Sequence, residues 1–295
     1  MAFRTVVITG HVKLEFRLGY LIVRGETERR VHLSEISTLI VETTSAALTT
    51  ALLAELVKNK TSVIFCDEKH LPLSHIEAYS ANFASSKRVR EQAFWDETRK
   101  STAWGKIVRH KIRMQAEVLR KHGHDAAASM LDGYRQEVTD GDCSNREGHA
   151  AKVYFNALFG MDFSRRNENI YNSRLNYGYA VILSAVSREI AAAGYITQLG
   201  IWHGNEFNNF NFASDLMEPF RPIADDFSLG LSSDLDKNFK TYMPKVMLTK
   251  VRLSGHEQYL DTAIRLFVRD VIRFMDGEVN DISEFSEWEL PKCEL

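Results

Sequence analysis

The stretch GKIVRHKIRMQAEVLRKH, residues 105–122, repeats apolar residues at the three- and four-residue spacing of an α-helix. Before about residue 76 the pattern is different. There the apolar runs are short, rich in β-branched residues and separated by turn residues, as in TVVITG (5–10), STLIVE (37–42) and SVIFCD (62–67). The change of period predicts an α+β protein, in which a small β-rich N-terminal domain precedes a larger all-helical domain.

We place the domain boundaries on this change of period alone, because no internal repeat or low-complexity linker marks them. The sequence predicts a β-rich domain at 1–76, a linker at 77–90 and a helical domain at 91–295. From about residue 276 the helical domain is expected to end in an acidic tail.

Net charge does not select a function, but the distribution of charge is uneven. The formal net charge is −2. Residues 87–121 hold eleven Lys and Arg against four acids, whereas residues 276–295 hold seven acids against one lysine. The end of the chain, 277–295, lacks the apolar periodicity that would build more core. We expect it to be dispensable for the fold and to shield a basic surface.

Several classes of protein are not supported by the sequence. No uncharged apolar run of about 18 residues occurs and the N-terminus lacks a signal-peptide pattern, so we expect a cytoplasmic protein with no membrane contact. Cys66, Cys143 and Cys293 lie too far apart for a disulfide framework or a structural zinc site. The motifs of P-loop nucleotide hydrolases, serine hydrolases and zinc peptidases are missing.

Four polar residues are candidates for a metal site, although each also has a structural interpretation. Glu147 opens an apolar-periodic helix, where it would also fit a capping box with Ser144. His203 follows a glycine-containing turn and would also fit a buried histidine bonded to backbone. Asp215 and Glu218 are three residues apart, hence on one face of a helix, and would also fit a helix N-terminus. Spacing alone leaves these interpretations open.

Three ordered segments resemble the catalytic core of the CRISPR-associated integrase, the larger subunit of the spacer-acquisition complex. They are REGHAAKVYFNALFG (146–160), NSRLNYGYAVILSAVSREIAAAGY (172–195) and LGIWHGNEFNNFNFASDLMEPFRP (199–222). The resemblance is carried by EG, LNYGY, the histidine after LGI and DLMEPFR, in that order and at those distances. The subtype that it most resembles accompanies the single-protein RNA-guided effector nuclease.

The resemblance implies a metal site. It identifies Glu147, His203 and Glu218 as catalytic ligands of Mg²⁺ or Mn²⁺, and Asp215 as a further catalytic residue that supports the site or positions substrate. Many family members have aspartate at the position of Glu218. Carboxylate oxygens suit both ions, and an imidazole ligand shifts the preference toward Mn²⁺.

The resemblance also implies a reaction and partners. The family inserts short foreign DNA fragments into a CRISPR array, by attack of a 3′-hydroxyl on phosphodiesters at repeat boundaries. Homodimers, formed here by the β-rich domain, flank a smaller non-catalytic subunit in a heterohexamer, and the effector nuclease and an accessory acquisition protein contribute. The expected phosphate contacts are Arg88, Arg90, Lys106, Arg109, Lys111, Arg113, Lys237, Lys240 and Lys245.

Two alternatives stay open at this point. A metal-dependent endonuclease acting on branched or repair-type DNA would use the same three ligands with water as the nucleophile. A binding or scaffold protein would keep the fold without the chemistry, although the intact ligand set argues against it. The basic residues of 87–121 would equally suit a solvated helix face.

Overall fold

The structure is a computed structural model that describes residues 4–68, 72–76, 85–231, 239–253 and 255–291. Its strands are β1 (Arg4–Ile8), β2 (Lys13–Arg17), β3 (Tyr20–Arg24), β4 (Glu28–His32), β5 (Ile36–Val41), β6 (Ala47–Leu48), β7 (Ser62–Cys66), β8 (Pro72–His75), β9 (Lys250–Leu253), β10 (His256–Tyr259) and β11 (Phe285–Glu289). Its α-helices are α1 (Thr50–Lys58), α2 (Ser85–Ala93), α3 (Glu97–Lys121), α4 (Asp125–Glu137), α5 (Arg146–Phe159), α6 (Ile170–Ala192), α7 (Asn211–Met217), α8 (Arg221–Leu229), α9 (Phe239–Tyr242) and α10 (Leu260–Met275).

Two four-stranded sheets form the N-terminal part. In the first the strand order is β1-β5-β7-β8, with β1, β5 and β7 parallel and β8 antiparallel to β7. In the second the order is β4-β3-β2-β6, with β2, β3 and β4 joined as an antiparallel meander. The inner strand β5 is buried at all six of its positions, because it is covered on both faces. This explains why its sequence, ISTLIV, contains no charged residue.

The side chains of β7 alternate between two hydrophobic cores. Val63 and Phe65 pack into the small core of the N-terminal part. Ile64 belongs to the large core that the helices build, and Ser62 Oγ lies 2.5 Å from Ser184 Oγ on α6. Successive residues of a strand point to opposite faces, so β7 joins the N-terminal sheet to the helical part, as β5 does through Ile40.

The long helix α3 is the central element of the helical part. Asp96 caps it by accepting the N–H of Arg99 at 2.9 Å. Helices α4, α5 and α8 pack around α3, and α6 packs against α8. Gly178, the glycine of LNYGY, permits that second contact, since a Cβ at this position would lie 3.1 Å from the Cβ of Ala224. The motif therefore has a packing role.

The expectation of an all-helical second domain is wrong in one respect. Strands β9, β10 and β11 form an antiparallel sheet of order β10-β9-β11. Strand β11 lies within the segment that we expected to be a dispensable acidic tail, yet Phe285 is fully buried and Trp288 is 8% exposed. In a regular strand residues three apart face opposite sides, but an irregularity in the pairing with β9 lets both aromatic rings reach the core.

The remaining architecture agrees with the predicted order, a strand-rich region followed by a helical one. Residues 85–90, expected in the linker, instead begin α2, while residues 77–84 lie outside the described part of the chain. Within the part that is described, no helix is long and apolar enough to cross a membrane.

Candidate active site

A tight polar turn places Glu147 at the start of α5. Asp142 accepts the backbone N–H groups of Arg146 and Glu147, one on each carboxylate oxygen, both at 2.9 Å. Asn145 has a left-handed backbone, with φ of 52°, and caps α5 by accepting a first-turn N–H at 3.3 Å. The capping box between Ser144 and Glu147 is therefore wrong, and the carboxylate of Glu147 is available for another role.

Glu218 lies in the single 3₁₀ turn, Glu218–Phe220, between α7 and α8. Its side chain is 3% exposed, and Oε1 lies 3.2 Å from the guanidinium of Arg221. Burial alone would raise the pKa of Glu218, but the positive charges of Arg221 and Lys111 outweigh burial and lower it. Glu218 is a buried carboxylate that stays ionised at neutral pH.

The ammonium group of Lys111 joins the two glutamates. Its Nζ lies 2.5 Å from Glu147 Oε1 and 2.5 Å from Glu218 Oε2. A phosphate contact stays a prediction for Lys111, although this residue is only 6% exposed. The reason is that α5 and the Glu218–Phe220 turn cover this side of α3.

Asp215 organises the loop that carries His203. Asp215 is fully buried. Its Oδ2 accepts the backbone N–H of Ile201 at 2.6 Å and that of Trp202 at 3.0 Å, and its Oδ1 accepts that of His203 at 3.1 Å. Asp215 Oδ1 also lies 2.6 Å from His203 Nδ1. An ionised carboxylate only accepts, so Nδ1 carries the proton, and Nε2 of the neutral ring keeps a lone pair for a ligand.

The environment of His203 links it to both glutamates. The hydrogen bond to Asp215 raises the pKa of His203 against the effect of burial, and the charges of Glu218 and Glu147 act in the same direction. The interpretation of a buried histidine bonded to backbone is wrong, since the side chain is 40% exposed and pairs with a carboxylate. Gly200 is required in this loop, because a Cβ there would lie 2.4 Å from the carbonyl oxygen of His203.

Replacing Asp215 by alanine should lower the free energy of unfolding by about 2–4 kcal/mol, because three backbone N–H groups and an imidazole lose their acceptor. Urea denaturation measures this change. Asp162→Ala, at an exposed loop position, is the matched control and should change stability by less than about 0.5 kcal/mol. A loss for Asp215→Ala no larger than that of the control would contradict the assigned role.

No group of three His, Cys, Asp or Glu side chains among the described residues is close enough together to hold an ion. Two of the predicted ligands, Glu147 and Glu218, nevertheless converge as a divalent cation would require. Glu218 Oε2 is buried, and it lies 2.5 Å from the ammonium nitrogen of Lys111. Two carboxylates and a free imidazole nitrogen are ligands that Mg²⁺ and Mn²⁺ accept. Two oxygens that touch one ammonium at 2.5 Å are already near the spacing that an ion at about 2.1 Å requires.

The other basic residues expected to contact phosphate are spread over several surfaces. Lys106 Nζ lies 2.5 Å from a carboxylate oxygen of Asp281. Arg109 donates to the carbonyl oxygen of Val138 at 2.9 Å, and Arg113 binds a carbonyl of β11. These three side chains hold neighbouring segments of the protein, and a contact with phosphate stays a prediction for them.

Arg88, Arg90, Lys240 and Lys245 belong to elements other than α3. Arg88 binds the carbonyl at the C-terminal end of α6, and Arg90 is exposed on α2. Lys240 lies on α9, and Lys245, in the turn that follows, lies over the ring of Tyr242 at the end of α9. Lys237 lies outside the described residues. A DNA contact stays a prediction for all five.

Sequence reasoning missed the roles of three residues at the site, among them Lys111, which it had assigned to phosphate contact. Arg221 had a usable signal, since it stands three residues after Glu218, the spacing of a helical ion pair. Asp142 and Lys111 had none, because a polar turn and an amphipathic helix both accommodate such residues on the surface. Only the packing of α5 on α3 identifies their roles.

The region that contains the candidate site is also the region in which the chain matches known proteins. The family model described as "CRISPR associated protein Cas1" matches residues 6–256, which include all four predicted site residues. The chain belongs to the Cas1 family. The CRISPR-associated endonuclease Cas1 of Neisseria meningitidis serogroup C is 37% identical over 226 residues, covering 76% of this chain and 74% of its own. A Cas1 endonuclease of Archaeoglobus fulgidus is 24% identical, covering 92% of this chain and 96% of its own.

Solved structures show the same fold. A Cas1 protein from Thermotoga maritima superposes with a TM-score of 0.73 at 16% identity, covering 93% of this chain and 97% of its own. A casposase bound to its integration product superposes with a TM-score of 0.69 at 18% identity, covering 95% and 92%. This Cas1-family chain is thus an enzyme of the CRISPR-associated endonuclease and integrase type.

Proposed function

We propose that this chain is a metal-dependent integrase that inserts short foreign DNA fragments into a CRISPR array. The observation that carries the proposal is the convergence of Glu147 and Glu218 on one point. The charges of both glutamates also act on His203, which Asp215 fixes. Glu147 is remote in sequence from the other three residues, which lie within 203–218. Such an arrangement of acids and imidazole suits phosphodiester chemistry.

Glu147, Glu218 and His203 would hold a Mg²⁺ or Mn²⁺ ion. When bound, such an ion lowers the pKa of an attacking hydroxyl and stabilises charge on the phosphate. The protein supplies the positioning. Asp142 fixes the first turn of α5 and hence Glu147, and Asp215 holds the imidazole of His203 with Nε2 free.

The reaction that we propose exchanges one phosphodiester for another. The 3′-hydroxyl oxygen of a fragment end attacks the phosphorus at a repeat boundary, and the bond from that phosphorus to the 3′-oxygen of the target strand breaks. The attacking hydroxyl loses a proton and the leaving oxygen gains one. No bond energy from a nucleotide triphosphate is needed, in keeping with a sequence that has no P-loop motif.

We further propose the partners that relatives suggest. Solved relatives include a Cas1–Cas2 complex that also carries Cas6 and reverse transcriptase and a casposase bound to integration product. We propose that this chain binds DNA, forms a homodimer and joins a smaller non-catalytic subunit in a heterohexamer in the cytoplasm. The single-protein effector nuclease and an accessory protein would assist. Strand β4, at an edge of its sheet, would be covered in the dimer.

The test of this proposal is the dependence of DNA joining on the donor terminus. With Mn²⁺ and the copurifying small subunit, a donor with 3′-hydroxyl ends should become covalently joined to a repeat-containing target. The same donor with 3′-dideoxy ends should give no joined product, because it has no nucleophile. Gel separation of labelled donor and target strands measures both results.

The second candidate, a metal-dependent endonuclease acting on branched or repair-type DNA, is favoured by the names of the curated relatives. It would use the same residues with water as nucleophile. Equal cleavage with blocked and unblocked donors, and no joining with either, would select the endonuclease and reject the integrase.

A further inference from the structure

Lys111 occupies the point where the two glutamates meet. It is 6% exposed, and its Nζ contacts Glu147 Oε1 and Glu218 Oε2 at the same distance, 2.5 Å. Lysine is almost never buried in proteins unless it is paired. Lys111 therefore forms buried ion pairs with both carboxylates at once, unlike a lysine on the surface.

The pair of carboxylates keeps this lysine charged. Burial alone would lower the pKa of Lys111, but the charges of Glu218 and Glu147 outweigh it and raise that pKa. In return, the ammonium compensates two negative charges, one of them fully enclosed. Without it the carboxylates would repel each other in a site of low dielectric constant.

The ammonium and a divalent ion cannot occupy this point together. An ion coordinated by the same two oxygens would lie about 2.1 Å from each of them. The ammonium nitrogen already lies 2.5 Å from each, so the two positions overlap. Binding of the ion therefore requires that Nζ move.

Gln115 offers Nζ another position. It lies one helical turn after Lys111 on α3, at the spacing where side chains are neighbours. The residue is 2% exposed and its Oε1 accepts no hydrogen bond. A buried amide oxygen without a donor is costly, and an ammonium group has three donors.

We propose that Lys111 is a tethered counter-ion that holds the two glutamates together in the metal-free protein and moves to Gln115 when the metal binds. The inference rests on the proposed function, since it assumes the metal site of that proposal. It makes Lys111 a positioning residue that sets how much metal is needed to load the site. A site that is open in about one molecule in ten binds its ligand about tenfold more weakly than its intrinsic affinity.

In the experiment, the metal-free full-length protein is titrated with Mn²⁺ and binding is measured by calorimetry. Thermal melting in EDTA is measured in parallel. Lys111→Met should bind Mn²⁺ about tenfold more tightly than the wild type, because the competing cation is gone. Its melting temperature in EDTA should fall by roughly 5–10 °C, since two carboxylates lose their partner. Saturating Mn²⁺ should abolish that difference. Lys152→Met, which removes an exposed lysine of α5, is the control and should change neither value.

Gln115→Leu tests the second position and keeps every charge in place, so it serves even if Lys111→Met does not fold. It should weaken Mn²⁺ binding, because the displaced ammonium finds no acceptor. In the double variant the substitution of Gln115 should have no further effect, since Gln115 acts only through Lys111. If Gln115→Leu weakens Mn²⁺ binding as much in the Lys111→Met protein as in the wild type, Gln115 acts as a metal ligand and this part of the proposal is overturned.

The outcomes separate this inference from the proposed function. Mn²⁺ affinity of Lys111→Met equal to or weaker than that of the wild type would overturn the counter-ion role, provided that Glu147→Gln weakens Mn²⁺ binding as a lost ligand should. If the wild type binds no Mn²⁺, or Glu147→Gln binds it equally well, the metal site itself is wrong and both proposals fail.

Discussion

Glu147→Gln, His203→Ala and Glu218→Gln should each lower the rate of DNA joining by about 10²–10³-fold or more, the loss typical of removing one electrostatic contact to a reacting group. Each variant removes one proposed ligand, and the two that remain would hold an ion poorly. Glu147→Gln is the cleanest of the three because that side chain is 27% exposed and its helix is capped by another residue. A joining assay with labelled DNA ends measures the rate.

The control for this prediction separates chemistry from folding. Glu117→Gln changes an exposed carboxylate on α3 and should leave joining unchanged. DNA binding and the far-ultraviolet circular dichroism of Glu147→Gln should match those of the wild type. A folded Glu147→Gln protein that joins DNA at the wild-type rate would remove Glu147 from the site.

Ending the chain at Gly277 should prevent stable folding. Residues 278–291 contain β11, and Phe285 stacks on Phe220 with ring centroids 4.6 Å apart. Trp288 Nε1 donates to Asp226 at 2.7 Å. Loss of one buried aromatic side chain costs about 3–5 kcal/mol, and whole domains are stable by only about 5–15 kcal/mol. Circular dichroism and limited proteolysis of the truncated protein measure the effect.

A milder form of the same test uses single substitutions in β11. Phe285→Ala should lower the free energy of unfolding by about 3–5 kcal/mol. Glu287→Ala, on the exposed side of the strand, should change it by less than about 0.5 kcal/mol. A truncated protein that melts at the wild-type temperature would restore the original expectation of a dispensable tail. Because Phe220 lies two residues after Glu218, the aromatic stack also supports the candidate site.

The sequence predicted those parts of the fold in which local periodicity and burial agree. The 3.6-residue period of 105–122 predicted the helical character of α3, and the apolar run 37–42 predicted the inner strand β5. It failed for β11, since the pattern FSEWE contains only two apolar residues, three apart. Their burial depends on an irregular pairing with β9, more than thirty residues earlier, which no local pattern records.

The same limit applies to the candidate site. The resemblance named Glu147, His203, Asp215 and Glu218, and the structure brings these residues into one region. Their roles as ligands stay predictions. Lys111 could not be placed from sequence, because a lysine on an amphipathic helix is solvent-exposed until another element covers it. Contacts between remote elements, rather than residue type, decide that question.

The two-sided burial of β7 limits how the protein can be recombined. Val63 serves the N-terminal core and Ile64 serves the helical core, so neither core is complete without this strand. A chimera that takes its strand-rich part from another family member would have to match both surfaces at once. Exchange of the strand-rich part alone is therefore expected to destabilise the protein. A partner that binds this part and displaces β7 would also disturb the packing of the helical core, which includes the helices that carry Glu147 and Lys111.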